Sequence, residues 1–190
     1  TVGNGIDYPG DTAAETASLD TIKILFNAVV SELDSRFMTI DLKDFYLQST
    51  LLRKEYAWAS LGQIAPEIIA EFNLLPLAVK GKVLVEISKG IYGLPQSGKL
   101  AKDQLTANLA AHGFSECEHT PCLFTHSSRK IAFTLVVDDF GVKYSDPADV
   151  EYLISVLQPT YNLHIDWSGG KYLGITLDWD YSSPIRSVAL

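Results

Sequence analysis

One stretch limits what this chain can become. Phe133-Thr134-Leu135-Val136-Val137 is almost unbroken apolar, β-prone sequence, and it runs straight into Asp138-Asp139. Phe140-Gly141-Val142-Lys143-Tyr144, again β-prone, then leads away. Val, Phe, Tyr and Thr favour the pleated, half-buried surface of a strand, while Asp and Gly favour turns, so the stretch predicts strand, sharp turn, strand. That geometry puts Asp138 and Asp139 at the tip of a hairpin. Adjacent carboxylates repel and cost desolvation, so a chain keeps them there for a cation or because the turn is wet. On the pair alone, the wet turn is the commoner explanation.

A chain of 190 residues with 47% hydrophobic content can bury a real core, and one domain over residues 1–190 is the expectation. No run approaches the ~18 consecutive apolar residues of a membrane span, so no membrane partner is expected. Thr1 to Asp11 is polar and glycine-rich, without the charged and apolar regions of a signal peptide. Together with only two cysteines, Cys117 and Cys122, this predicts an intracellular, non-secreted protein. The formal net charge of −8 counts against a surface that grips nucleic acid unaided, because phosphate contacts need Lys and Arg.

Taken in order, Gly3 to Asp11 reads as a loop or short hairpin. Ser18 caps a helix predicted over Leu19 to Leu33, where apolar residues recur at helical spacing. Arg36 to Asp41 reads as a strand ending in an acid, and Glu55 to Leu61 as another. Pro66 to Phe72 reads as a short helix with proline in its first turn. A strand over Val83 to Ile87 precedes the loop Gly90 to Gly98, and a helix from Lys99 to His112 follows, ended by Gly113. Strands over Pro121 to His126 and Lys130 to Asp138 pair around Ser127-Ser128. Asp146-Pro147 starts a last helix. Lys171 to Trp179 alternates like one strand, with Ile185 to Leu190 returning beside it. Strands mixed with helices, without regular alternation, predict an α+β sandwich with helices on one face.

Asp41 at a strand end joins Asp138 and Asp139 as a third carboxylate. Three oxygen-donor acids from two strands are what two-metal phosphoryl transfer needs, with hard Mg²⁺ ions activating a hydroxyl and neutralising a leaving pyrophosphate. A rival pattern is Gly93-Leu94-Pro95-Gln96-Ser97-Gly98-Lys99, close to the phosphate-binding G-x-x-x-x-G-K-[ST]. It would make the chain a P-loop-like nucleotide binder. Leu100 stands where that loop needs Ser or Thr, and Pro95 removes an N–H from a loop that works through them. Cys117, His119, Cys122 and His126 match no usual zinc spacing. Trp58, Trp167 and Trp179 read as core or edge aromatics rather than base-stacking platforms.

Four segments now stand in order: Asp41-Leu42-Lys43-Asp44-Phe45-Tyr46-Leu47, Tyr92-Gly93-Leu94-Pro95-Gln96, Val137-Asp138-Asp139 and Tyr172-Leu173-Gly174-Ile175. In order and spacing they resemble the reverse transcriptase of copia-type retrotransposons. Gly5-Ile6-Asp7-Tyr8 and His112-Gly113-Phe114 extend the resemblance over nearly the whole chain. It implies a right-hand polymerase palm, an antiparallel sheet backed by helices, and RNA-directed DNA polymerisation. Asp41, Asp138 and Asp139 would be catalytic and would hold two Mg²⁺ ions, with Mn²⁺ able to substitute. Tyr46 would be the aromatic gate under the incoming sugar, Asp44 would lie where the backbone meets the triphosphate, and Gln96 would touch the nucleotide. Tyr172, Leu173 and Gly174 would form the hairpin that holds the primer end. The implied partners are an RNA/DNA primer-template, dNTPs, and the rest of the retroelement polyprotein, including integrase and ribonuclease H. Val136 departs from the family, which commonly has an aromatic there. The family's upstream basic finger residues, thumb and ribonuclease H have no counterpart in the sequence, so the chain is expected to be inactive alone. The second alternative is therefore a non-catalytic retroelement remnant.

Overall fold

A computed structural model describes residues 8–182 and 185–190. Gly5, Ile6 and Asp7 lie outside them, as does most of the loop read over Gly3 to Asp11. The first helix, α1 (Leu19–Ser31), opens where Ser18 accepts a hydrogen bond from the Thr21 N–H at 3.1 Å, satisfying one of the free donors at a helix start. It stops short of Leu33, which is exposed.

The strands are β1 (Arg36–Lys43), β2 (Thr50–Ser60), β3 (Lys82–Lys89), β4 (Phe114–Cys117), β5 (Thr120–His126), β6 (Ile131–Val136), β7 (Asp139–Tyr144) and β8 (Asn162–Asp166). Four short ones follow: β9 (Lys171–Tyr172), β10 (Ile175–Thr176), β11 (Asp178–Asp180) and β12 (Ser187–Ala189). The remaining helices are α2 (Pro66–Glu71), α3 (Ser97–Ala111) and α4 (Pro147–Leu157), the last capped by Asp146 through the Ala148 N–H at 2.9 Å. One six-stranded sheet in the order β4-β5-β6-β7-β1-β8 forms the centre, with every neighbour antiparallel. Strands β2 and β3, β9 and β10, and β11 and β12 make three separate two-stranded ribbons. The fold is thus mixed α+β, with an antiparallel central sheet and four helices among the described residues. None of those helices is long and apolar enough to cross a membrane.

The expectation that the helices lie on one face is corrected. Side chains alternate along a strand, so Met38, Ile40 and Leu42 share one face of β1, while Phe37, Thr39 and Asp41 share the other. Phe37 meets Phe26 of α1 edge-to-face at 5.1 Å, which puts α1 on the acid-bearing face. On the opposite face Phe133 and Phe140 lie 5.0 Å apart, and Phe114 joins Phe133 to Tyr152 of α4. The reason is visible in β1, where the consecutive residues Phe37 and Met38 are both buried. A strand apolar on both sides must be covered on both sides.

Two further elements depart from expectation. Lys171 to Trp179 is not one strand, because Leu173 (φ 51°) and Gly174 (φ 80°) turn the chain back between β9 and β10. Strand β1 continues two residues past Asp41, which therefore lies within the strand rather than at its end.

Candidate functional site

In the β1–β7 ladder Asp41 is the direct cross-strand partner of Asp139. Residues so paired have Cβ atoms roughly 4.5–5.5 Å apart on one face of the sheet. The β6–β7 connection is a two-residue turn of Val137 and Asp138, closed by the pairing of Val136 with Asp139. Val137 takes a left-handed conformation (φ 60°), which a β-branched residue adopts only under constraint. Part of that constraint is explicit. The Asp138 carbonyl accepts the Leu42 N–H at 3.0 Å, so the turn is pinned to the residue after Asp41. Strand pairing and this one bond bring the three acids together.

Their environment makes the charge costly. Burial pushes the Asp139 carboxyl above its ordinary value, and the charges of Asp138 and Asp41 push it further. Burial also raises Asp138, with Asp41 adding to it. Lys43 sits two residues past Asp41, hence on the same face, and forms an ion pair with it. Contact with Asp41 raises the Lys43 ammonium, with smaller contributions from Asp138 and Asp139. One ammonium thus faces three carboxylates.

The donor set is all carboxylate oxygen, which suits Mg²⁺ or Mn²⁺ rather than a soft metal. The Asp41 Oδ2 atom is buried and is the oxygen that pairs with the Lys43 ammonium, so a metal ion bound there would take the place of that ammonium. Among the described residues no group of three or more His, Cys, Asp or Glu side chains stands in an arrangement that could hold a metal ion. The chemistry of the residues fits such an ion, with Lys43 supplying the positive charge meanwhile.

Asp44 (φ 55°) starts a 3-10 turn over Phe45–Gln48 that carries Tyr46 away from β1. The Tyr46 ring packs edge-on to Tyr92 at 4.6 Å. Burial raises both phenols, and nearby Asp138 raises both further, with Tyr92 also feeling Asp41 and Asp44. The two rings therefore border the acid group. Tyr46 also lines a cavity of about 270 Å³ with Phe45, Gly98, Lys102, Leu135 and Val137.

Gln96 is not open to a ligand. It is buried, and its Nε2 donates to Glu55 Oε1 at 3.1 Å, linking β2 to the start of α3. Arg53 donates to the same oxygen from Nε at 3.0 Å. The loop before α3 spends its donors internally: Leu94 N–H on the Ile91 carbonyl, Ser97 N–H on the Leu94 carbonyl, and Ile91 N–H on Ser97 Oγ. Lys99 pairs with Asp103 at 2.6 Å.

Tyr172 is buried too. Its hydroxyl shares a hydrogen bond with Thr134 Oγ1 at 3.1 Å, and burial pushes its phenol far up. Its ring lies where a Cβ on Gly141 would come within 2.8 Å. Only glycine lets the β9–β10 hairpin dock on the acid-bearing hairpin, and Tyr172 is the anchor of that docking. Leu173 and Gly174 form the more exposed tip, with nothing within 4 Å of a Gly174 Cβ.

Sequence reading named neither Lys43 nor Tyr92 as a site residue. The signal for Lys43 was the period of two from Asp41; Tyr92 carried none beyond its place in a motif. No family model matches the chain.

Proposed function

We propose that this chain is the palm region of an RNA-directed DNA polymerase of the copia-type retroelement class, adding dNTPs to a primer 3′-hydroxyl on an RNA/DNA template. The observation that supports it most is the pairing of Asp41 with Asp139, with Asp138 in the adjoining turn. Bound Mg²⁺ or Mn²⁺ would supply Lewis acidity at the 3′-hydroxyl and countercharge for the leaving pyrophosphate.

The chain's own residues have distinct tasks in this reading. Asp41, Asp138 and Asp139 would hold the cations, and the β1–β7 register sets how Asp41 and Asp139 face each other. Burial and mutual repulsion make the charges of Asp138 and Asp139 costly, and countercharge would relieve that cost. Lys43 pairs with Asp41 in the absence of a cation. Tyr46, backed by Tyr92, stands beside the acids as a rigid wall against a sugar 2′-hydroxyl. Asp44 offers backbone next to the triphosphate path. Gln96 orients the loop from within, through Glu55, rather than touching the nucleotide. Tyr172 positions the Leu173-Gly174 tip for the primer end. The remaining polyprotein, integrase and ribonuclease H included, is the expected covalent context.

Calorimetric titration with Mn²⁺ tests the reading. Wild-type chain should bind, and Asp41→Asn and Asp138→Asn should each abolish or weaken the same binding at least tenfold. Binding that neither substitution alters would refute it.

A further inference from the structure

Among the described residues no layer covers one face of the β2–β3 ribbon. Pairing puts Trp58 opposite Leu84, Tyr56 opposite Glu86 and Ser60 opposite Lys82, so these side chains form one surface. Trp58 is 53% exposed, Tyr56 55% and Leu84 55%, where large apolar rings are ordinarily covered. Beside Trp58 the chain makes a tight turn at Lys80 (φ 52°) and Gly81 (φ 74°), closed by reciprocal Val79 and Lys82 backbone bonds of 2.8 and 3.1 Å. Trp58, Val79, Lys80 and Lys82 line a slot of about 300 Å³. Among the described residues neither Lys80 nor Lys82 has an ion-pair partner, although the chain as a whole is acidic.

From this we infer that the slot is a binding site for single-stranded nucleic acid, in which one base stacks on Trp58 and Lys80 and Lys82 take the flanking phosphates. An exposed indole offers a face to any base, and ammonium groups beside it match a phosphate backbone in charge. Tyr56 lies two residues back on the same face, roughly 6.6 Å along the strand, and offers a second platform. The slot shares no lining residue with the acid group or with the tyrosines that border it. The inference rests on the polymerase reading only for which strand is held, an unpaired stretch of template. The stacking and charge stand on the ribbon alone.

Fluorescence anisotropy of a labelled oligothymidylate with the full chain, in excess chelator, tests it. Trp58→Ala should weaken binding roughly 5- to 140-fold, the loss expected for one base–aromatic stack. Trp58→Phe, which keeps a ring, should retain most of the affinity and guards against an effect of misfolding. Lys80→Gln with Lys82→Gln should reduce the slope of log K against log salt by about 1.4, since a single strand contributes ~0.7 per neutralised phosphate. Equal binding by wild type and Trp58→Ala, or an unchanged slope, overturns the site. So does an oligonucleotide-independent dimer that Trp58→Ala dissociates, which would make the face a protein interface. Because chelator removes divalent cations, these results do not depend on whether Asp41 and Asp138 bind Mn²⁺.

Discussion

Replacing Asp139 by Asn should stabilise the chain in chelator and destabilise it, relative to wild type, when cation is present. Asp139 faces Asp41 directly and adjoins Asp138, with Lys43 offsetting part of the repulsion. Like charges directly opposed on a sheet cost about 0.2–1 kcal/mol, and partial burial puts this pair toward the upper end. Asn keeps the shape and removes one charge, so the gain is about 1 kcal/mol, or roughly 2–4 °C in Tm for a chain of this size. The pH dependence has a definite sign. Asp138 and Asp139 titrate above 3.8 in the folded chain, so the unfolded chain loses those protons first. Wild-type stability therefore falls as pH rises from about 3.8 through the raised folded values, and stays level above them. The advantage of Asp139→Asn should vanish below that window and be full at pH 7. With Mn²⁺ at about 100 times its Kd, wild type gains about 2.7 kcal/mol from linkage while the variant gains far less, so the order reverses. Thermal unfolding at pH 3 and pH 7, with chelator and with Mn²⁺, gives the comparison. A variant less stable than wild type in chelator at pH 7, or an advantage equal at both pH values, would refute the reasoning.

Two further substitutions probe how the site is held. Gly141→Ala drives a methyl into the Tyr172 ring and against Phe37 at 3.1 Å, which should cost about 2 kcal/mol, lowering Tm by roughly 4–8 °C and weakening Mn²⁺ binding as the hairpin shifts. Gln96→Glu places a second carboxylate against buried Glu55. It should cost about 3 kcal/mol at neutral pH, by chemical denaturation, and progressively less as pH falls through the carboxylate range.

Local chemistry was legible where a signal is carried by neighbours in the chain. Ser18 before a helically spaced apolar row, Asp146-Pro147 before another, and Gly113 (φ 87°) after α3 each announce a boundary, because capping and backbone freedom act within a few residues. The β6-turn-β7 hairpin was legible for the same reason. Its boundary was not: β6 ends at Val136, because Val137 gives up strand geometry to let Asp139 pair with Asp41.

Gln96 and Tyr172 show where such reading stops. Each lies in a motif that suggests contact with a ligand, and each is buried against a residue distant in sequence, Glu55 and Thr134. Strand β8, the edge partner of β1, alternates polar and apolar residues over only five positions, Asn162 to Asp166, and was passed over.

The amino-acid sequence alone determined an α+β chain, the caps that open α1 and α4, and an acidic hairpin tip, since these follow from propensity and pattern over a few residues. Tertiary structure decided that Asp41 faces Asp139, that helices cover both sheet faces, and that Trp58 stands in solvent beside two lysines. Register, covering layers and exposure belong to pairs of segments far apart in the chain, and the energy that selects them exists only once those segments meet.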